Sequence, residues 1–319
     1  MERLASMWIS VSTLGLFLAA CGAAPTVLST SWHEKLGWRS EDYFDDSKVV
    51  QLCQAIESGD IAAIDRLVES GANVKAIGKD NMTPLLWALP DDNLKRFTRL
   101  LEHGADPNVV IEGEFNTRGQ MRAGDSVTHM ACRTKFEGYF DAVFSHGGDP
   151  NLVRKDRIDS DVTPLFAVIG GSATSKEEKV KALIKMGANI DHMDGSWATP
   201  TMYALVRGRY DIALILLAAG ADHTVYRPKS NTRLVHVVIG EERRSSIWTP
   251  EQKAVYERVV QTLKDRGESF EEARADIARW RSWNAASGEY RRNMDAEIAE
   301  RLRRDSQKSK GQGGPPTVK

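Results

Sequence analysis

Leu-Leu-Glu-His-Gly-Ala-Asp-Pro-Asn, residues 100–108, is one copy of a phrase that recurs along the chain. The other copies lie at residues 67–73, 143–151, 183–189 and 216–222. The first glycines of successive copies are 33, 43, 40 and 33 residues apart. A fixed period of this size is typical of solenoids, in which each repeat is one small structural unit. The two longer intervals predict insertions into a regular stack.

A second phrase precedes the first at a nearly constant distance. Thr-Pro begins 21 residues before the phrase glycine at residues 83 and 199, and 24 residues before it at 163. Residues 126–131, Ser-Val-Thr-His-Met-Ala, resemble a degenerate copy of this phrase, and they begin 21 residues before the phrase glycine at 147. Threonine is a good helix N-cap, and proline is tolerated at the first helical position. Glycine ends helices in the left-handed conformation. Each repeat is therefore predicted to be a pair of helices.

These two phrases in fixed register resemble the ankyrin repeat across residues 48–267, about two thirds of the chain. The resemblance implies an all-α repeat solenoid of about five to six ankyrin repeats with enlarged hairpin fingers. Residues 268–305 are expected to add C-terminal capping helices, because terminal repeats need a polar outer face. Residues 306–319 are rich in Gly, Pro, Ser and Lys, which predicts a disordered tail.

The N-terminal segment has the composition of an export signal. Residues 4–20 carry no charge, and they end in Leu18-Ala19-Ala20-Cys21, which resembles the bacterial lipobox. The resemblance implies a signal peptide over residues 1–20, lipidation of Cys21 and a lipidated tether over 21–47. Gly22 then favours the periplasmic face of the outer membrane, because in that sorting rule an Asp after the cysteine retains the protein at the inner membrane. An uncleaved anchor, or an ordinary signal with a chance cysteine, is the alternative. Trp32 and Trp38 are candidates to fold back onto the first repeat.

Composition and motifs favour binding over chemistry. The chain has 319 residues, a formal net charge of −1 and three cysteines, so it lacks the basic excess of a nucleic-acid binder. Cys53 and Cys132 should lie two repeats apart as buried free thiols, too distant for a disulfide. His129 matches the histidine of the ankyrin phrase, which bonds the loop. The sequence holds no metal-ligand, phosphate-loop or nucleophile motif. We therefore expect no catalytic residue, no cofactor and no metal site.

Ankyrin stacks bind partners through their finger tips and the concave face of their first helices, and this is implied by the resemblance. Two enlarged fingers, Val109–Asp125 and Leu152–Val162, depart most from the repeat and are expected to form one mixed-charge lip. The alternative is a tolerated, drifted insertion, since long surface loops cost little. Trp87 and Tyr203 are expected in the core. The predicted partner-binding residues are Ile77, Lys79, Asp80, Asp91, Phe115, Arg118, Met121, Arg122, Arg133, Arg154, Arg157, Asp159, Ser196, Arg207 and Tyr226.

The lipobox and the repeats together limit the function that we expect. The chain resembles the ankyrin immunity proteins that protect bacteria from their own type VI secretion lipase or phospholipase effectors. That resemblance implies a secreted lipase-like toxin as the protein partner, contact with the membrane only through the lipid anchor, and no nucleic acid. The alternative is a periplasmic ankyrin scaffold linked to oxidative stress or envelope maintenance.

Overall fold

The computed structural model describes residues 31–115, 121–154, 161–285 and 289–311. Within these ranges the fold is helical, and its β structure is one isolated antiparallel bridge between Arg154 and Val162. In chain order the helices are α1 Trp32–Leu36, α2 Ser47–Ser58, α3 Ile61–Glu69, α4 Pro84–Trp87, α5 Leu94–Glu102, α6 Val127–Arg133, α7 Tyr139–Ser145, α8 Pro164–Gly170, α9 Lys176–Lys185, α10 Pro200–Val206, α11 Tyr210–Ala218, α12 Leu234–Glu241, α13 Pro250–Asp265, α14 Phe270–Ala285 and α15 Glu289–Gly311. Short 3-10 turns cover Ser40–Asp42, Lys79–Asn81 and Glu242–Ile247.

Helices α2 to α13 form six successive pairs, which confirms the predicted repeat solenoid. First helices stack on first helices, as α6 packs against α8, α8 against α10 and α10 against α12. Second helices form the other layer, in which α9 contacts α11 and α11 contacts α13. Each pair therefore buries its apolar side chains against its neighbours, as a solenoid requires.

The two sequence phrases act at the helix ends as expected. The Thr83 hydroxyl accepts a hydrogen bond from the Leu86 backbone N–H at 3.1 Å, and the Thr199 hydroxyl accepts one from the Met202 N–H at 3.3 Å. The five phrase glycines all have φ between +85° and +97°. A side chain there would be strained, so glycine is what allows the chain to leave each second helix and enter the next finger.

Residues 31–47 are folded, which corrects the expectation of a tether over this part of the chain. The Ser31 hydroxyl caps α1, and the α1 segment ends at Gly37 in the left-handed conformation. His33 and Trp38 are buried, at 1% and 5% exposure, whereas Trp32 is half-exposed. Of the two tryptophans expected to fold back, only Trp38 is buried.

The C-terminal helical cap extends beyond its expected end at residue 305. Helix α14 packs against α12, the last first helix of the stack, and α15 packs against α14. Helix α15 runs to Gly311, so residues 306–311 are helical and not a disordered tail. Residues 312–319 lie outside the described residues, as do the signal peptide, Cys21 and the rest of the chain before residue 31. No helix in the described ranges is both long enough and apolar enough to cross a membrane.

Candidate protein-binding surface

The described parts of the insertion Val109–Asp125, residues 109–115 and 121–125, pack onto the fold, so their large apolar side chains do not form an exposed binding lip. Phe115 is 7% exposed and Met121 is 5% exposed. The Phe115 ring lies edge-on to Trp38 and Tyr43, with centroid distances of 5.6 and 5.9 Å. Phe115 and Met121, both predicted partner-binding residues, therefore belong to the buried core, and Trp38 and Tyr43 of the N-terminal segment lie against Phe115.

Charged residues anchor the base of the same insertion. The Asp125 carboxylate is completely buried and accepts hydrogen bonds from both terminal nitrogens of Arg133 at 2.7 Å. Arg154 donates to the same carboxylate at 3.4 Å. Arg133 and Arg154, two of the predicted partner-binding residues, are therefore structural partners of Asp125. Arg122 is exposed, while Arg118, Arg157 and Asp159 lie outside the described residues.

Asp91 also has a structural role. It pairs with Arg96, which is 1% exposed and donates to the carbonyl oxygens of Ile56 at 2.6 Å and Ala88 at 3.0 Å. A buried guanidinium needs a counter-ion, so Asp91 stabilises the second repeat. Its role in partner binding stays a prediction.

The N-terminal segment covers the first helices of the first two repeats. The His33 Nε2–H donates a hydrogen bond to the Trp87 carbonyl oxygen, 2.7 Å away, and the His33 ring stacks on the Trp87 indole at a centroid distance of 4.7 Å. Ser31 contacts Glu57 at the end of α2. Trp87 is fully buried under this segment, as expected. The first-helix surface that remains uncovered by residues 31–47 belongs to the later repeats.

Other predicted residues do lie at the surface. Ile77 is 60% exposed at a finger tip beside exposed Lys79 and Asp80, and Ser196 and Arg207 are also exposed. Arg207 donates to the Tyr203 hydroxyl at 2.7 Å and lies over the Tyr203 ring. Tyr203, expected in the core, is only partly buried. Tyr226 is partly covered by the C-terminal cap, because the Arg301 guanidinium lies 4.4 Å from its ring centroid.

Trp197 is the surface residue that sequence reasoning missed. It occupies a finger tip with φ +63° and 40% of its surface exposed. Asp194 fixes the turn, because its Oδ1 accepts hydrogen bonds from the Ser196 N–H, the Ser196 hydroxyl and the Ala198 N–H. The signal in the sequence was a large apolar residue within the turn Asp-Gly-Ser-Trp-Ala.

The following finger places one cation at the Trp197 ring and a second near Asp194 of the same turn. The Lys229 ammonium lies 5.9 Å from the Trp197 ring centroid. Arg227 is partly buried, and burial lowers its pKa while the nearby Asp194 carboxylate opposes that shift. We call Trp197, Arg227 and Lys229 the finger patch.

His129, Cys53 and Cys132 are titratable groups buried within the repeats. His129 bonds Ser126 through Nδ1, and its Nε2 lies 3.1 Å from the carbonyl oxygens of Leu152 and Val162, which confirms its role in holding the loop. Burial lowers the pKa of His129 to about 4. Cys53 and Cys132 are buried free thiols, as expected, and burial raises their pKa values. No cluster of potential metal ligands occurs among the described residues.

The fold and its surface define an ankyrin-repeat scaffold for protein interaction. A family model for ankyrin repeats, three copies, matches residues 128–227. The ankyrin repeat domain of Bcl-3 superposes with a TM-score of 0.50 at 20% identity, covering 68% of this chain and 86% of that one. That likeness concerns the fold alone.

Two curated proteins share sequence with the chain. Palmitoyltransferase AKR1 of Lachancea kluyveri is 27% identical over 182 residues, which are 57% of this chain and 23% of that protein. Putative ankyrin repeat protein R664 of Acanthamoeba polyphaga mimivirus is 32% identical over 82 residues, 26% of this chain and 49% of that protein. The matches thus span about a quarter of the length of the first relative and about half of the length of the second.

Proposed function

We propose that this chain is a lipid-anchored immunity protein at the periplasmic face of the bacterial outer membrane. In this proposal it binds and neutralises a lipase or phospholipase effector of type VI secretion. The observation that carries the proposal is Leu18-Ala19-Ala20-Cys21 in the same chain as a repeat scaffold for protein interaction. A toxin that attacks envelope lipids has to be bound at the membrane, and in this proposal the lipid anchor holds the binding protein at that membrane.

The solenoid supports this proposal mechanically. Exposed finger tips and the first-helix ends of the later repeats offer an extended surface, and no chemistry is needed to cover the mouth of an active site. The acyl chains implied by the lipobox would supply stable anchoring, because one chain alone gives only marginal membrane binding.

Deletion of the gene beside an active sister strain tests the proposal. We expect survival of the deletion strain to fall and to recover when the native gene is restored, but not when Cys21→Ser is supplied. Survival is counted as colony-forming units after co-culture. A Gly22→Asp variant, followed by membrane fractionation, should move the protein to the inner membrane.

Unchanged survival of the deletion strain would contradict the immunity role. As a control, the deletion strain and the native strain should survive equally beside a sister strain that lacks its secretion apparatus. This result would link the killing to an injected effector. A neighbouring gene for a catalase or another oxidative-stress enzyme, with no lipase nearby, would favour the scaffold alternative.

A further inference from the structure

We propose that the finger patch, Trp197 with Arg227 and Lys229, is the anchor for a partner. The partner that fits it is a short acidic segment of a protein, with an aliphatic side chain on the exposed indole and carboxylates facing the two cations. The inference rests on the proposed function only for the identity of the protein that carries this segment.

The backbone at Trp197 is the first argument. A φ of +63° is the left-handed region, which bulky residues rarely occupy and which glycine or asparagine occupies easily. The three hydrogen bonds to Asp194 hold the turn in this conformation. Since 40% of the surface of Trp197 remains exposed, burial in the core alone does not explain why a tryptophan occupies this position. Residues held in unfavourable backbone conformations are concentrated at functional sites.

The charges around the indole are the second argument. The Arg227 Nε–H is buried and has no hydrogen-bond partner within the described part of the chain. The nearby carboxylate, Asp194, already accepts three hydrogen bonds through Oδ1 within its own turn. Lys229 adds a second positive charge at the ring. A partner carboxylate would pair with the exposed Lys229 ammonium in a charge-assisted hydrogen bond and would lie in the positive field of the partly buried Arg227 guanidinium.

Trp197 is also the more accessible of the two aromatic residues on these fingers. The neighbouring aromatic residue, Tyr226, is held beneath Arg301 of the C-terminal cap. Tryptophan, tyrosine and arginine are the residue types most enriched where alanine substitution strongly weakens binding. The patch combines a tryptophan and an arginine on adjacent fingers.

Selection of a displayed random peptide library against the full chain tests the inference without knowledge of the partner. We expect acidic peptides that contain an aliphatic residue. Their affinity should fall about tenfold or more in Trp197→Gly and in Lys229→Glu. The melting temperature of Trp197→Gly should not fall, because glycine suits the left-handed backbone.

Matched controls separate the patch from general surface effects. Trp32 is also half-exposed beneath a lysine, with the Lys35 ammonium 4.8 Å from its ring centroid, so Trp32→Ala should leave binding unchanged. Lys185→Glu places the same charge reversal on α9 and should also have no effect. Selected peptides that bind Trp197→Gly as tightly as the native chain, or no selection of acidic peptides, would overturn the inference.

The purified lipase effector of the same strain provides the second arm. It should bind the native chain and lose about tenfold or more in affinity for Trp197→Gly. Failure of the effector to bind the native chain would contradict the proposed function, and the peptide arm would still decide the finger patch. Equal binding of the effector to both chains would contradict the patch and leave the immunity role supported.

Discussion

Single polar residues hold neighbouring repeats together by reaching backbone groups that are distant in sequence. His129 binds Ser126 beside it and reaches two carbonyl oxygens of the following finger. It is 1% exposed, and it lies close to the Asp125 and Arg154 charges. Burial has a larger effect on the pKa of His129 than these charges do, and it lowers that pKa. The folded protein therefore holds His129 in its neutral form at neutral pH.

This neutral histidine predicts a loss of stability in mild acid. The pKa of His129 is about 4 in the folded chain and about 6.5 in an unfolded one. Between these values the unfolded chain binds more protons, so the free energy of unfolding decreases as the pH falls through this window. We expect a loss of about 2 kcal/mol between pH 7 and pH 5 from this group. Urea denaturation at several pH values measures it.

The control is His129→Asn, which removes the titrating group. This variant should be less stable at pH 7 but should lose less stability on acidification. A residual slope is expected, because burial also lowers the pKa of His236. If native chain and variant show the same dependence on pH, the assignment to His129 is incorrect.

For single residues, the sequence predicts those contacts whose two partners lie close together in the chain. Thr83 and Thr199 were predicted as helix caps because their bonding partners lie three residues away. Trp197 was missed because its exposure depends on a left-handed turn that is set by Asp194 and on cations from the next finger. Nothing in the period of the repeat indicates such a turn.

Among the structural elements, the insertion Val109–Asp125 differs most from what its sequence predicts. Its length predicted a binding loop, whereas Ile111, Phe115 and Met121 are buried. The Glu112 N–H donates to the Asp80 carbonyl of the preceding finger at 3.1 Å. The insertion therefore braces that finger and the N-terminal segment. Sequence alone could not pair it with residues 38–43, because that contact spans more than two repeats.

This bracing role predicts that Phe115→Ala destabilises the fold. Removing a buried phenylalanine typically costs about 3 kcal/mol or more, and here it also ends the edge-on contacts with Trp38 and Tyr43. Urea denaturation followed by tryptophan fluorescence should report the loss.

Phe136→Ala is the matched control, because Phe136 is 44% exposed. It should change the stability by less than about 0.5 kcal/mol, as surface substitutions usually do. A Phe115→Ala variant that is as stable as Phe136→Ala would mean that the insertion does not brace the fold.

Over the whole molecule, both ends of the stack are closed by chain segments that are not repeats. Residues 31–47 cover the first helices of repeats one and two, and α14 and α15 continue the stack beyond α12. The repeat pattern predicted the stack because each unit contacts only its neighbours. The exact extent of the two ends was not predictable, since it depends on single aromatic and charged contacts. Exposed finger tips, including the finger patch, remain for a partner.

The most direct test of this account is hydrogen–deuterium exchange of the full chain with and without the purified lipase effector. Binding through the finger patch predicts slower amide exchange at residues 193–198 and 226–231, with no change at residues 111–115 and 121–125. Protection confined to the insertion, with unchanged exchange in both fingers, would contradict it.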